Sequence, residues 1–164
     1  MGLFDGKNKA GNLSCMLTYT DGIENFPKEV LVNIEQNDSE QKIIIKQVYS
    51  KTPPVSLNYS QVTDVAFFSE KEITEKDKSV IGRAVAGGLL LGPLGGIIGG
   101  MSGTGKKQKT KIVGYLIINY LSSSKEEKKV LTFSMKNASY NVHSFIKELK
   151  RKLNIEDKTY NQIL

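Results

Sequence analysis

Ala138-Ser139-Tyr140-Asn141-Val142-His143-Ser144-Phe145-Ile146-Lys147-Glu148-Leu149-Lys150-Arg151-Lys152-Leu153 is a stretch whose apolar residues recur at helical rather than strand spacing. Ala138, Val142, Phe145, Ile146, Leu149 and Leu153 make one stripe, which predicts an amphipathic helix of about four turns. Val142, Phe145, Ile146 and Leu149 are its expected core face. Asn137 or Ser139 is placed to cap its start, and Lys150, Arg151 and Lys152 fall where cations favour the helix dipole. A helix with a single apolar stripe needs a partner surface. The chain upstream supplies one.

Working back from the helix, Lys129–Met135 and the long Ile-, Leu- and Tyr-rich run Ile112–Leu121 read as strands, joined by the polar stretch Ser122–Glu127. Further upstream lie Val62–Ser69, with its Val-Ala-Phe-Phe run, and Val55–Tyr59, which follows the breaker Pro53-Pro54. Lys42–Tyr49 contains the strongly β-prone Ile43-Ile44-Ile45 and is turned from Val30–Glu35 by Asn37-Asp38-Ser39. Ser14–Thr20 ends at the turn pair Asp21-Gly22, and residues 1–12 are a Gly-, Lys- and Asn-rich lead-in. The reading is mainly β with α: seven strands and one C-terminal helix. Element counts alone also suit an α+β domain of another kind.

This order of elements, with Val55-Ser56-Leu57-Asn58-Tyr59-Ser60-Gln61-Val62 and the terminal helix, resembles the pleckstrin-homology-like (PH-like) family, including its GRAM and small bacterial relatives. The resemblance spans roughly residues 13–75 and 110–153. It implies a strongly bent seven-stranded barrel plugged at one end by the helix. The domain plan is then a lead at 1–12, barrel and capping helix at 13–79 and 108–154, an insertion at 80–107, and a tail at 155–164.

The insertion holds 10 of the 15 glycines, all within residues 82–105. Ala84, Gly88, Gly92, Gly96 and Gly100 are spaced four apart, with a second row at Gly95, Gly99 and Gly103. On a helix such rows form a groove in which another backbone can approach closely, and the segment resembles the glycine zippers of membrane-associated proteins. Ala84–Gly105 carries no charge over 22 residues, about 33 Å as continuous helix. Pro93 interrupts that helix, and both ends must return to neighbouring strands. A helical hairpin turning at Gly92-Pro93 satisfies both conditions. Seven Val, Leu and Ile residues at about −0.5 kcal/mol each favour membrane entry by only about −3.5 kcal/mol. Glycines oppose helix formation by roughly 1 kcal/mol each. Insertion of one copy is thus marginal, and a flap packed on the barrel is the soluble alternative.

Charge is divided unevenly. Residues 1–81 carry 9 basic and 12 acidic side chains, whereas residues 82–164 carry 14 and 5 within a net charge of +6. The second half is suited to an anionic surface. Of 23 cations only Arg83 and Arg151 are Arg, which disfavours sequence-specific nucleic-acid readout. Arg83, Lys106, Lys107, Lys109 and Lys111 flank the insertion and are the candidate contacts to anionic lipid, at about 1 kcal/mol per nearby cation. The acidic loop Asp21–Glu29 lacks the basic residues that many phosphoinositide-binding PH domains carry in their first hairpin.

Little else points to chemistry. One Cys and one His exclude a disulfide framework and leave His143 as the sole partner for any Cys–His or Ser–His pair. Cys15 in an apolar strand reads as core, and His143 as a half-buried or surface residue. Gly100-Met101-Ser102-Gly103-Thr104-Gly105-Lys106-Lys107 nearly spells a P-loop, but Lys107 stands where Ser or Thr would hold magnesium. Its strand–loop–helix context is also missing. Glu70–Lys78, with alternating signs, reads as a solvated stem. The start, Met1-Gly2-Leu3-Phe4-Asp5-Gly6-Lys7, lacks the features of a secretory signal, and position 6 is Gly where myristoylation favours Ser or Thr.

The expectation is a non-enzymatic protein of bacterial type, without cofactor or metal, on the cytoplasmic face of the membrane. Gly88, Gly92, Pro93, Gly96 and Gly100 would serve membrane docking or self-association into a homo-oligomer. Two alternatives are a pore-forming or membrane-perturbing effector, and a soluble adaptor that dimerises through the hairpin.

Overall fold

A computed structural model describes residues 11–69, 85, 88–93, 95, 114–124, 127–136 and 140–155. The strands are β1 (Ser14–Asp21), β2 (Val30–Asn37), β3 (Lys42–Gln47), β4 (Val55–Asn58), β5 (Val62–Phe68), β6 (Tyr115–Leu121) and β7 (Lys128–Ser134). A 3-10 turn, Tyr59–Gln61, joins β4 to β5, and the C-terminal helix α1 spans Val142–Lys152. All seven strands pair antiparallel in one sheet of order β4-β3-β2-β1-β7-β6-β5. Each of the seven strands expected from the sequence is present. The helix starts at Val142, with Asn141 at its N-cap position; the Asn141 amide donates to the Ser14 carbonyl and ties that end to β1. The expected caps Asn137 and Ser139 lie outside the described residues.

The bent seven-stranded barrel that the resemblance implies is realised as an open antiparallel sheet. β4 and β5 are its edges, and no ladder joins them among the described residues. β4 is only four residues long, and the 3-10 turn after it redirects the chain before β5 can pair. Gln61 ties the corner instead, its Nε2 donating to Leu121 O at 3.0 Å and to Ser123 Oγ at 2.8 Å.

The sheet still bends around one core. Leu57 of β4 and Val65 of β5 share a cluster with Leu17, Ile34, Ile45 and Phe133. Val142, Phe145, Ile146 and Leu149 of α1 complete it, the four residues that the helical stripe predicts. Tyr19 fills the first hairpin: its ring meets Phe26 and Phe133 edge-on at centroid distances of 5.0 and 5.9 Å. Its hydroxyl accepts from the Ile23 N–H at 2.6 Å.

Two polar features set how the parts meet. Gly22, at φ +117°, follows β1 where the chain runs close beside β7: a Cβ there would lie 2.1 Å from Val130 O. Only glycine permits so close a backbone approach. Gln36 of β2 is fully buried and donates from Nε2 to the Phe145 carbonyl at 2.7 Å, fastening the helix to the sheet.

Candidate functional site

β6 is buried on both faces. Leu116 and Ile118 point into the main core, so alternation sends Tyr115, Ile117 and Asn119 to the opposite, outer face. Ala66 and Thr132 pair with Ile117, and Val130 pairs with Asn119. These residues and Phe68 therefore share one outer surface that is largely apolar. A sheet with an apolar outer face needs a cover.

The glycine-rich segment provides it. Leu89 is 3% exposed and packs on Phe68 and Ile117, with Leu91 beside it. At the centre Asn119, wholly buried, receives the backbone of Leu90: the Leu90 N–H donates to Oδ1 at 2.7 Å, and Nδ2 donates to Leu90 O at 3.0 Å. The carboxamide thus does for Leu90 what a neighbouring strand would do. Lys128 Nζ donates to the Gly88 carbonyl at the segment's edge.

Glycines make the approach possible. Gly88 (φ +89°) and Gly92 (φ +55°) adopt left-handed backbone on either side of Leu89–Leu91. A Cβ on Gly92 would sit 3.1 Å from Thr132 Oγ1 and 3.2 Å from Val130 Cγ1, so its lack of a side chain lets the segment lie flat on β7. Here the expectation is corrected: Gly88 and Gly92 do not share one face of a continuous helix. Gly92 stands in a turn and Pro93 and Gly95 are helical, but Leu89–Leu91 before them are not. A helical hairpin is not seen among the described residues. Gly96, Gly100, Arg83, Lys106, Lys107, Lys109, Lys111 and the P-loop-like stretch lie outside them.

Asn119 was legible only as an oddity, one amide in the apolar run Tyr115-Leu116-Ile117-Ile118-Asn119-Tyr120-Leu121. Nothing in the sequence tells what it binds. The geometry now joins a seven-stranded sheet, a capping helix and a glycine-rich segment inserted between β5 and β6. A family model described as glycine zipper containing PH domain matches residues 22–159.

The chain belongs to that family. No curated protein and no solved structure matches it. PH-like domains are generally non-catalytic binding modules.

The remaining candidates in this glycine-zipper PH domain fall into place. Cys15 is 2% exposed, and burial pushes its thiol up to about 12, far from a reactive thiolate. His143 is exposed and meets the Phe67 ring edge-on at 5.1 Å. In the first hairpin loop, Lys28 is paired with Asp21. Among the described residues no three His, Cys, Asp or Glu side chains gather as a metal site, and no helix is long and apolar enough to cross a membrane.

Proposed function

We propose that this glycine-zipper PH domain is a non-catalytic module that associates peripherally with the cytoplasmic face of an anionic membrane, and with copies of itself, through its glycine-rich segment. The observation that carries the reading is the anchoring of that segment. Asn119 and Leu89 hold it on the domain, while the Val85 and Leu90 side chains remain 46% and 39% exposed. An apolar segment fixed to a rigid scaffold, with cations at Arg83, Lys106, Lys107, Lys109 and Lys111, is suited to an interfacial contact.

The test is co-sedimentation of the full chain with phosphatidylserine vesicles at low and high salt, with crosslinking to detect oligomers. A chain lacking 82–105 serves as the comparison. Salt-sensitive binding that disappears on deletion supports the proposal. A full chain that stays in the supernatant and monomeric would falsify it.

A second reading is favoured by the burial of Leu89: the segment serves as a fixed cover for the sheet within a soluble adaptor. On that reading the deleted chain aggregates, because Phe68 and Ile117 lose their cover, and the intact chain ignores vesicles.

A further inference from the structure

Of the six exposed large apolar side chains among the described residues, two, Val85 and Leu90, belong to the glycine-rich segment, and a third, Leu121, ends β6 beneath it. The connections are specific. Asn119 holds Leu90, and Leu121 stands two residues further along β6 on the same face. Lys128 is the cross-strand partner of Leu121, and its ammonium reaches the Gly88 carbonyl. Gly88 in turn donates its N–H to Val85 O at 2.8 Å. Lys129 follows on the exposed start of β7; two carboxylates stand near, Glu127 before β7 and Asp64, the cross-strand partner of Asn119 on β5.

We propose that Val85, Leu90 and Leu121, with Lys128 beside them, form the surface that meets an anionic bilayer, and that the glycine-rich segment acts there while docked on the sheet. This rests on the membrane reading above and goes further, since it names the contact and denies that the segment must leave. Three aliphatic side chains beside lysines match the two halves of a lipid interface, the acyl boundary and the anionic headgroups. The docked segment supplies two of the three. Its release would scatter the patch and leave the Asn119 carboxamide and the Leu90 backbone without each other.

Two experiments on the full chain decide it. In flotation with phosphatidylserine-containing vesicles, Leu121→Asp is expected to weaken binding about tenfold and Lys128→Ala about fivefold. Both variants should keep a cooperative thermal transition. Second, hydrogen exchange followed by mass spectrometry on the vesicle-bound chain reads residues 88–92. The docked mode expects the Leu90 amide to stay as protected on vesicles as it is in solution. Fast exchange at Leu90 on vesicles would overturn the docked mode while leaving membrane association intact. So would unchanged vesicle binding by Leu121→Asp, or a loss of self-association in that variant without loss of vesicle binding. Absence of binding by the unmutated chain would remove the membrane reading itself.

Discussion

Asn119 and Leu90 face each other as two strands would, although only one of them lies in the sheet. The Leu90 N–H reaches Oδ1 at 2.7 Å and the Asn119 Nδ2 reaches the Leu90 carbonyl at 3.0 Å, with the Asn119 side chain wholly buried. Both polar ends of the amide are satisfied, and so is the backbone of a segment that has no strand of its own. Leu89 and Leu91 can then lie on Phe68 and Ile117 without an unpaired peptide group beneath them.

Removal of the carboxamide should loosen this attachment more than the domain. Asn119→Ala strips the part-buried Leu90 N–H and C=O of their partner, at a cost of about 1 kcal/mol. Hydrogen exchange followed by mass spectrometry should show faster exchange across residues 88–92, with β1 to β4 little changed. Unaltered exchange at Leu90 would mean that burial of Leu89 alone holds the segment.

The close approach of Gly22, just after β1, to β7 gives a sharper contrast. A methyl on Gly22 would sit 2.1 Å from Val130 O and 2.9 Å from Leu131 Cα, at a φ of +117°. Gly22→Ala should therefore destabilise by about 3 kcal/mol, through backbone displacement as well as strain. At Gly11, also at positive φ, nothing lies within 4 Å of the added carbon. Gly11→Ala should cost only about 1 kcal/mol from conformation. Urea denaturation of the two variants checks the ranking, and equal losses would contradict it.

Helix α1 holds the main core through a wholly buried ring. Phe145→Ala should cost about 3–5 kcal/mol, visible as a fall in the thermal midpoint. An unchanged midpoint would mean that the helix does not seal the sheet.

Acid should undo a tether between the β2–β3 turn and the end of α1. Burial alone would raise the Asp38 carboxyl, but hydrogen bonds from Lys152 Nζ at 2.5 Å and Tyr59 OH at 2.8 Å outweigh it and hold the group below its usual range. Its contribution to stability is then present above the unfolded-state value, about 3.9, and is lost as pH falls through the lower folded value. Since Asp38 is 47% exposed, the effect is small and salt-sensitive. Asp38→Asn should flatten the decline in stability below about pH 4, measured by denaturation across pH. A decline identical to that of the unmutated chain would assign it to other carboxylates.

Local pattern was enough for the elements. Period-two alternation or β-branched and aromatic enrichment, bounded by turn residues, marked all seven strands within a few residues, since such side chains suit a pleated surface with at least one buried face. The spacing of Val142, Phe145, Ile146 and Leu149 picked out the residues of α1 that enter the core, because a helix on a sheet buries one stripe. The uneven charge and the glycine-rich insertion are likewise plain in the sequence. Partner choice is not local, and there the tertiary structure decided. Whether the sheet closes depended on β4 stopping after four residues and the turn at Tyr59–Gln61. Glycines spaced by four fit a helix stripe as well as a flat approach to a sheet. Only the left-handed backbone at Gly88 and Gly92, beside Val130 and Thr132, distinguishes the two. Asn119 stands alone among apolar neighbours in β6, and its meaning came from Leu90, a residue 29 positions away in the chain. A carboxamide's hydrogen bonds are set by what folding brings within 3 Å of it, and no sequence neighbour of Asn119 carries that information.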